Sequence, residues 1–221
     1  MPKRRTALVT GASRGIGKAI ADRLAREAGV KVLTPGRREL DLASPASVTR
    51  WLAQAPPVDI LVNNAGINLL RRVEEIDAPS LRAMLAVNLE APLQLAAGLA
   101  PGMKKRGWGR IVNLSSIWAL SSKEHRTLYS MTKAGLNGVT KGLSKELGPH
   151  GVLVNSVCPG FVDTELTRRN LGPAERARLA KAVPLRRFAR PAEVAELVAW
   201  LCSERNSYLT GQAVVIDGGF L

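Results

Sequence analysis

Short β-branched or apolar tetrads recur along the chain at residues 7–10, 31–34, 60–63, 110–113, 153–157 and 213–216. Each is followed by loop-type residues and is too short for a helix. Segments with apolar residues at helical spacing lie between them, at residues 16–28, 80–99, 129–147 and 191–203, with Ser80 and Pro191 suited to helix starts. Strands that alternate with helices have few ways to pack, because a helix that returns the chain across one face of a sheet leaves the next strand parallel to the last. The expectation is a doubly wound α/β fold of three layers, with a parallel sheet in the middle and ligands above the carboxyl ends of its strands. The 221 residues suffice for one sizeable core, and no linker or repeat divides residues 1–221, so a single domain is expected. Residues 160–190, with Gly172, Pro173, Pro184 and several arginines, are expected to be irregular and to form a lid over the substrate.

The first tetrad runs into Thr10-Gly-Ala-Ser-Arg-Gly-Ile-Gly17. Gly11, Gly15 and Gly17 would let the backbone approach a pyrophosphate at a helix N-terminus, which attracts negative charge. The spacing is G-x-x-x-G-x-G rather than G-x-G-x-x-G, and a plain glycine-rich turn also accounts for it when it stands alone. A second pattern is chemical. Tyr129 and Lys133 are four residues apart on an expected helix, hence on one face, thirteen residues after Ser116. A phenol with an ordinary pKa of about 10 exchanges protons poorly near neutrality, and a neighbouring cation is expected to lower that value. Such a pair suits proton exchange with a carbonyl oxygen, and so redox chemistry at a C–O bond. Singly, each residue has a plainer role: an anchoring tyrosine, an exposed lysine, a strand-end serine, and Asn88 as a helix-end cap.

Asp59-Ile-Leu-Val-Asn-Asn-Ala-Gly66, Asn88, Ser116, Tyr129, Lys133 and Pro159-Gly160 follow the glycine turn in one order. In this the chain resembles the short-chain dehydrogenase/reductase family, in particular its single-domain members similar to 3-oxoacyl-acyl-carrier-protein reductases, from about Thr6 to Gly219. The resemblance implies a Rossmann-type fold and a nicotinamide-dependent oxidoreductase interconverting a carbonyl and a secondary alcohol. It implies Tyr129 as proton donor, Lys133 acting by charge and by contact with the cofactor ribose, Ser116 holding the carbonyl oxygen, and Asn88 connecting the lysine to a water relay. Gly11, Gly15 and Gly17, with Ser13, Arg14 and Ile16 of the same turn, would hold the diphosphate. Asn63 with its Asn64-Ala65-Gly66 continuation would lie beside the adenosine half, and Asp41 with Leu42 near the adenine. Pro159, Gly160, Val162 and Thr164 would meet the nicotinamide, which Tyr129 and Lys133 also face. Gly36 stands roughly where an acid would favour NAD(H), and Arg37 and Arg38 follow it. With Arg14 they offer guanidinium groups for a 2′-phosphate, so NADP(H) is favoured and NAD(H) is the alternative.

One departure from the family pattern is plain in the sequence. Members usually carry a helix between the second and third strands, yet only residues 35–40 separate Thr34 from Asp41. A parallel crossover takes a dozen or more residues, and six span only about 20 Å when extended. The family's third strand is therefore expected to be short or absent along with the helix. Its place at the sheet edge would leave the catalytic face intact and put the change on the adenine and 2′-phosphate pocket.

The chain carries 32 Lys and Arg against 18 Asp and Glu, a formal charge of +14, which favours acidic partners. Aromatics are 4% and the arginines are scattered, so a solvated surface or an acidic cofactor or substrate is expected rather than nucleic acid. Cys158 and Cys202 are 44 positions apart, and His125 and His150 add no ligand spacing. No metal site or disulfide framework is expected, a reducing cytoplasm fits, and Cys158 reads as a buried small residue. No apolar run approaches the roughly 20 residues of a membrane span, and the basic Lys3-Arg4-Arg5 start precedes a strand, so a soluble protein without a signal peptide is expected. Substrate contacts are expected from Ser116, Tyr129, Arg126 and Trp118, the last equally suited to filling core. Loops 68–75, 118–126 and 160–187 surround them, and Lys123, Arg126, Arg168, Arg169, Arg186 and Arg187 make these basic. An anionic or carrier-linked carbonyl substrate follows, such as a 3-oxoacyl thioester or an acidic sugar. The resemblance also implies a homo-oligomer, tetramer or dimer, for which Gly135, Gly138 and Gly142 would permit close helix approach. Two rival readings are a non-catalytic NADP-binding regulatory protein, which would lack the catalytic set, and a basic nucleic-acid-binding protein.

Overall fold

The computed structural model describes residues 4–221; Met1–Lys3, with the first residue of the basic start, lie outside the described residues. All six tetrads are strands: β1 (Arg5–Val9), β2 (Val30–Leu33), β3 (Ile60–Asn63), β4 (Gly109–Leu114), β5 (Val152–Pro159) and β6 (Ala213–Ile216). They pair in parallel in one sheet of order β2-β1-β3-β4-β5-β6. The chain winds outward from β1 to β2, then returns past β1 to build the other half. The direction of winding therefore reverses between β1 and β3, where a doubly wound sheet leaves a crevice. β3 and β4 are buried at every residue, as parallel strands covered on both faces must be.

Alternation along the strands feeds two cores. Val9, Val62 and Val112 meet Ile20, Leu24, Val194 and Val198 on one face. Leu8, Leu61 and Ile111 meet Val48, Leu95, Leu99 and Met103 on the other. The covering helices are α1 (Gly15–Leu24) and α8 (Pro191–Cys202) on the first face, and α2 (Pro45–Gln54) with α4 (Ala91–Arg106) on the second. Before α4, α3 (Ala78–Leu85) runs through a π-helical turn, Ala86–Glu90. α5 (Thr127–Leu147) packs along β5.

Four sequence expectations are corrected. The helix read from residue 80 begins at Ala78, because the Asp77 carboxylate accepts the Ser80 N–H at 2.7 Å and makes Asp77 the cap. α2 was not anticipated; Ser44 caps it, with Pro45 in its first turn. Residues 160–190 are not irregular, since they hold α6 (Glu165–Asn170), capped by Thr164, and α7 (Pro173–Ala182). Finally, Ala78–Arg106 is long and apolar enough by composition to cross a membrane, with a mean hydropathy of 1.3 over its best window. Its apolar side is spent on the core through Met84, Leu95, Leu99 and Met103.

The shortened connection behaves as expected. Neither helix nor strand lies between Leu33 and Ser44, and β2 is the sheet edge. A tight turn replaces them: the Glu39 and Leu40 amides donate to the Gly36 carbonyl, and the Glu39 carboxylate accepts the Gly36 N–H at 2.8 Å.

Candidate active site

A cleft of about 730 Å³ lies over the carboxyl ends of β1 and β3, at the winding reversal. Its floor is the glycine turn. Gly15 opens α1 at φ +58°, a left-handed conformation that suits glycine. A Cβ at Gly17 would overlap the Asn64 amide nitrogen and the Gly11 carbonyl oxygen, so only glycine fits. The turn is tied to the end of β3: Thr10 Oγ1 accepts the Asn64 and Ala65 N–H groups at 3.1 Å, and Asn64 Nδ2 donates to the Thr10 carbonyl at 2.9 Å. Arg14, the N-cap of α1, supplies no side-chain cap, and the first turn holds no acid. The helix therefore presents its first amides, with their partial positive charge, to the cleft. This cradle fits a dinucleotide diphosphate.

Of the expected cofactor residues, Gly11, Ser13, Arg14, Gly15, Ile16, Gly17, Arg37, Asp41, Leu42, Ala65, Gly66, Tyr129, Lys133, Pro159 and Thr164 line this cleft. Gly160 and Val162 line the adjoining cavity. Two do not belong there. Asn63 is buried under the sheet, with Nδ2 donating to Asn113 Oδ1 at 2.9 Å, and its neighbour Asn64 takes the place beside the turn. Arg38 is exposed and lines neither cavity. Arg37 does reach the cleft, 82% exposed, with Nε 3.5 Å from the Asp41 carboxylate.

At the other end of the cleft Asn88, Ser116 and Lys133 are buried and Tyr129 is half-buried. Lys133, 3% exposed, donates from Nζ to the Leu114 carbonyl at 2.7 Å, and burial brings its pKa down to about 8. The Tyr129 phenol is pushed above its ordinary value by burial, while hydrogen bonding with Ser116 and the charge of Arg126 pull it the other way. This corrects the helix-spacing expectation. Lys133 Nζ does share a face with Tyr129, 5.7 Å from the ring centroid. The cation that acts to lower the phenol is Arg126.

Asn88 lies in the π turn, fully buried, and holds the loop after β3 by both ends of its amide. Oδ1 accepts the Ile67 N–H at 2.9 Å, and Nδ2 donates to the Ile67 carbonyl at 2.8 Å and to Thr132 Oγ1 at 3.1 Å. The extra residue of a π turn re-aims a side chain inside an otherwise regular helix. Ser116 lines the adjoining cavity with its Oγ accepting the Trp118 N–H at 3.2 Å, whereas Ser115 Oγ donates to the Lys133 carbonyl. Cys158 and Cys202 are free and buried. Burial raises both thiols, Cys202 to about 12, which leaves them unreactive.

The adjoining cavity, about 200 Å³, shares Ile16, Asn68, Ser115, Tyr129, Pro159 and Thr164 with the larger cleft, so the two meet along these residues. Trp118 lines it, and with Phe161, Phe188 and Phe220 belongs to an aromatic cluster with ring centroids 5.1–6.2 Å apart. The basic loops do not converge here as expected. Arg168 and Arg187 are paired with Asp163 and Glu193, Arg169 with Glu165, and Arg186 with the Lys181 carbonyl. Lys123 and Arg126 are the expected cations that line the cavity. Thr10, Asn68 and Phe161 were given no individual role from sequence, whereas Asn64 was expected beside the adenosine half and does line the cleft. Asn64 and Asn68 sit in the quoted motif and its continuation, but strand direction alone did not show which asparagine faces the cleft.

Two family models match the chain: short chain dehydrogenase over residues 5–50 and Enoyl-(Acyl carrier protein) reductase over residues 37–221. The chain belongs to the short-chain dehydrogenase/reductase family and is an oxidoreductase of the CH–OH/C=O couple. Among its relatives, a 3-oxoacyl-[acyl-carrier-protein] reductase of Aquifex aeolicus is 37% identical over 97% of this chain and 96% of its own. A D-beta-hydroxybutyrate dehydrogenase of Rhizobium meliloti is 30% identical over 98% of both. The solved structure of a Beutenbergia cavernae protein assigned as an NAD(P)-dependent gluconate 5-dehydrogenase, with bound NADP, superposes with a TM-score of 0.93. It is 33% identical over 99% of this chain and 97% of that one. The Aquifex alignment runs over 240 positions, more than the 221 residues here, so that relative carries residues this chain lacks. Membership of the family favours an enzyme over both rival readings.

Proposed function

We propose that this chain is an NADP(H)-dependent enzyme interconverting a ketone and a secondary alcohol on an anionic or 3-oxoacyl substrate. The observation that carries the proposal is that the two cavities meet at Tyr129: this one residue lines both the glycine-cradled cleft and the pocket that holds Ser116.

When bound, the nicotinamide cofactor supplies or accepts the hydride. The turn from Gly11 to Gly17 and the first amides of α1 would hold its diphosphate, with Arg14 and Arg37 available for a 2′-phosphate. Ser116 Oγ holds the substrate oxygen, and the Tyr129 hydroxyl gives that oxygen its proton in reduction, or takes it in oxidation. Arg126 favours the ionised phenol by its charge. Asn88 fixes Ile67, and through it the loop between the two cavities. Relatives assigned to 3-oxoacyl, hydroxybutyrate and gluconate substrates support a carbonyl on a chain that ends in an acidic or activated acyl group. The open strip at Gly138 and Gly142, where an added Cβ meets nothing within 4 Å, supports assembly of copies through α5.

Initial rates with NADPH and NADH, across 3-oxoacyl thioesters, keto acids, sugar ketones and neutral ketones, test this reading. It predicts a preference for NADPH and for substrates of the first two kinds. A preference for NADH, or equal use of neutral ketones with no salt dependence, would contradict it.

A further inference from the structure

The arginines around the substrate cavity fall into two groups. Arg168 and Arg176 pair with Asp163 at 2.9 and 3.0 Å, Arg187 pairs with Glu193 at 2.7 Å, and Arg169 pairs with Glu165. Among the described residues, Arg126 makes no side-chain hydrogen bond or ion pair, and its Nε is buried without a partner. The acid that acts on it, Glu175 of α7, stays outside ion-pair distance. Asn68 lines the same cavity, and its Oδ1 is likewise buried and unpartnered. Lys123 is in the lining, and no Asp or Glu of the described residues is. Buried polar atoms are nearly always paired in folded proteins. Two orphans in one small pocket, one of them on a cation, point to a ligand that completes them.

We infer that Arg126 and Asn68 bind a carboxylate carried by the substrate itself, and that the natural substrate is a small free keto acid rather than a carrier-linked thioester. The inference rests on the carbonyl chemistry proposed above and narrows its substrate. A planar guanidinium takes a carboxylate through two parallel hydrogen bonds, and the Asn68 amide can turn its NH2 toward the same group. Arg126 and Tyr129 are three residues apart at the start of α5, so the clamp lies within a few bonds of the carbonyl that the phenol serves. Trp118 and Phe161 give the carbon skeleton an apolar wall. A volume near 200 Å³ suits a short acid. A thioester brings no charge to the guanidinium.

The test compares a 3-oxo carboxylate, its methyl ester and the same acyl group as a short thioester, with NADPH, in wild type, Arg126→Met and Arg126→Lys. A binding arm uses calorimetry with a 3-hydroxy-3-methyl carboxylate, a tertiary alcohol that cannot be oxidised. Wild type is expected to favour acid over ester by about 100-fold in kcat/KM. In Arg126→Met that ratio falls to within a few-fold of one, and Arg126→Lys keeps part of it. Because the ratio compares two substrates on one enzyme, any loss through Tyr129 cancels. The tertiary alcohol is expected to bind Arg126→Met roughly tenfold more weakly than wild type. Ester or thioester used as well as acid, or an acid-to-ester ratio unchanged in Arg126→Met, overturns the inference and leaves the oxidoreductase reading standing. Arg126-dependent binding without turnover of any substrate supports the clamp and counts against the carbonyl chemistry. Should Arg126→Met fail to fold, the wild-type ratio and Arg126→Lys decide.

Discussion

Asn88, Lys133 and Ser116 are 0%, 3% and 6% exposed, and each side chain is bonded to main chain, whereas at the far end of the same cleft Arg37 is 82% exposed and rests on one ion pair with Asp41. The near end is part of the core. Its groups sit on β4, α5 and the π turn, where shifting one means moving a strand or helix. The far end is a turn on an edge strand, already rebuilt by the loss of a helix and strand without disturbing the sheet order. On the proposed function, chemistry is thus held where packing forbids drift, and recognition of the cofactor tail where the chain tolerates change. The same contrast explains the substrate-side arginines: those on exposed helices found acids, and Arg126, half-buried at the pocket, did not.

The contrast can be broken at several points. Lys133→Met should lower turnover by about 10²–10⁴, the usual range for an acid–base group, and should also stabilise the free protein. The folded state holds Lys133 near 8 against an ordinary 10.5, so below pH 8 its charged burial costs stability. Wild-type stability should rise between about pH 8 and 10.5, as the folded chain sheds a proton that the unfolded chain keeps. The variant should lack that rise and be more stable at neutral pH by about 1–2 kcal/mol, after allowing for the Leu114 carbonyl left alone. Denaturant melts of both proteins across this window measure it. Equal slopes would show that the lysine is not buried as a cation.

Asn88→Ala should cost about 2–4 kcal/mol, because both Ile67 backbone groups lose their partner in a buried site; chemical unfolding reads this directly. Gly17→Ala should cost about 1–3 kcal/mol from overpacking against Asn64 and Gly11 and weaken dinucleotide binding, measured by calorimetry. Unchanged affinity would mean that the glycine turn does not hold the diphosphate. Arg37→Ala should be the mildest: stability within about 0.5 kcal/mol, with kcat unchanged and the NADPH-to-NADH preference reduced less than about tenfold. A large fall in kcat there would dissolve the distinction between the ends.

Much of this was legible in the sequence, for identifiable reasons. The six strands were visible because buried parallel strands are short apolar runs with sharp ends. The loss at residues 35–40 could be predicted because the family resemblance implies a helix there and six residues cannot hold a crossover. α2 was missed because Pro45–Gln54 is under three turns long, although Val48, Trp51 and Leu52 keep helical spacing and Ser44-Pro45 is a helix-start signal. Residues 160–190 were misread because their prolines and arginines hid two short helices, one capped by Thr164 and one opening with Pro173. Asn63 and Asn64 could not be told apart, since a strand buried on both faces gives no polar alternation. That Lys133 would reach Leu114, and that Arg126 would be the cation acting on the phenol, depended on side-chain packing that residue spacing does not encode.

The account turns on Tyr129 as the proton donor at the junction of the two cavities. NADPH oxidation with a 3-oxo acid in wild type and Tyr129→Phe, with NADPH affinity measured on both proteins, tests it most directly. A loss of about 100-fold or more in kcat with affinity within a few-fold is the predicted result. Turnover near the wild-type rate in the variant would contradict it.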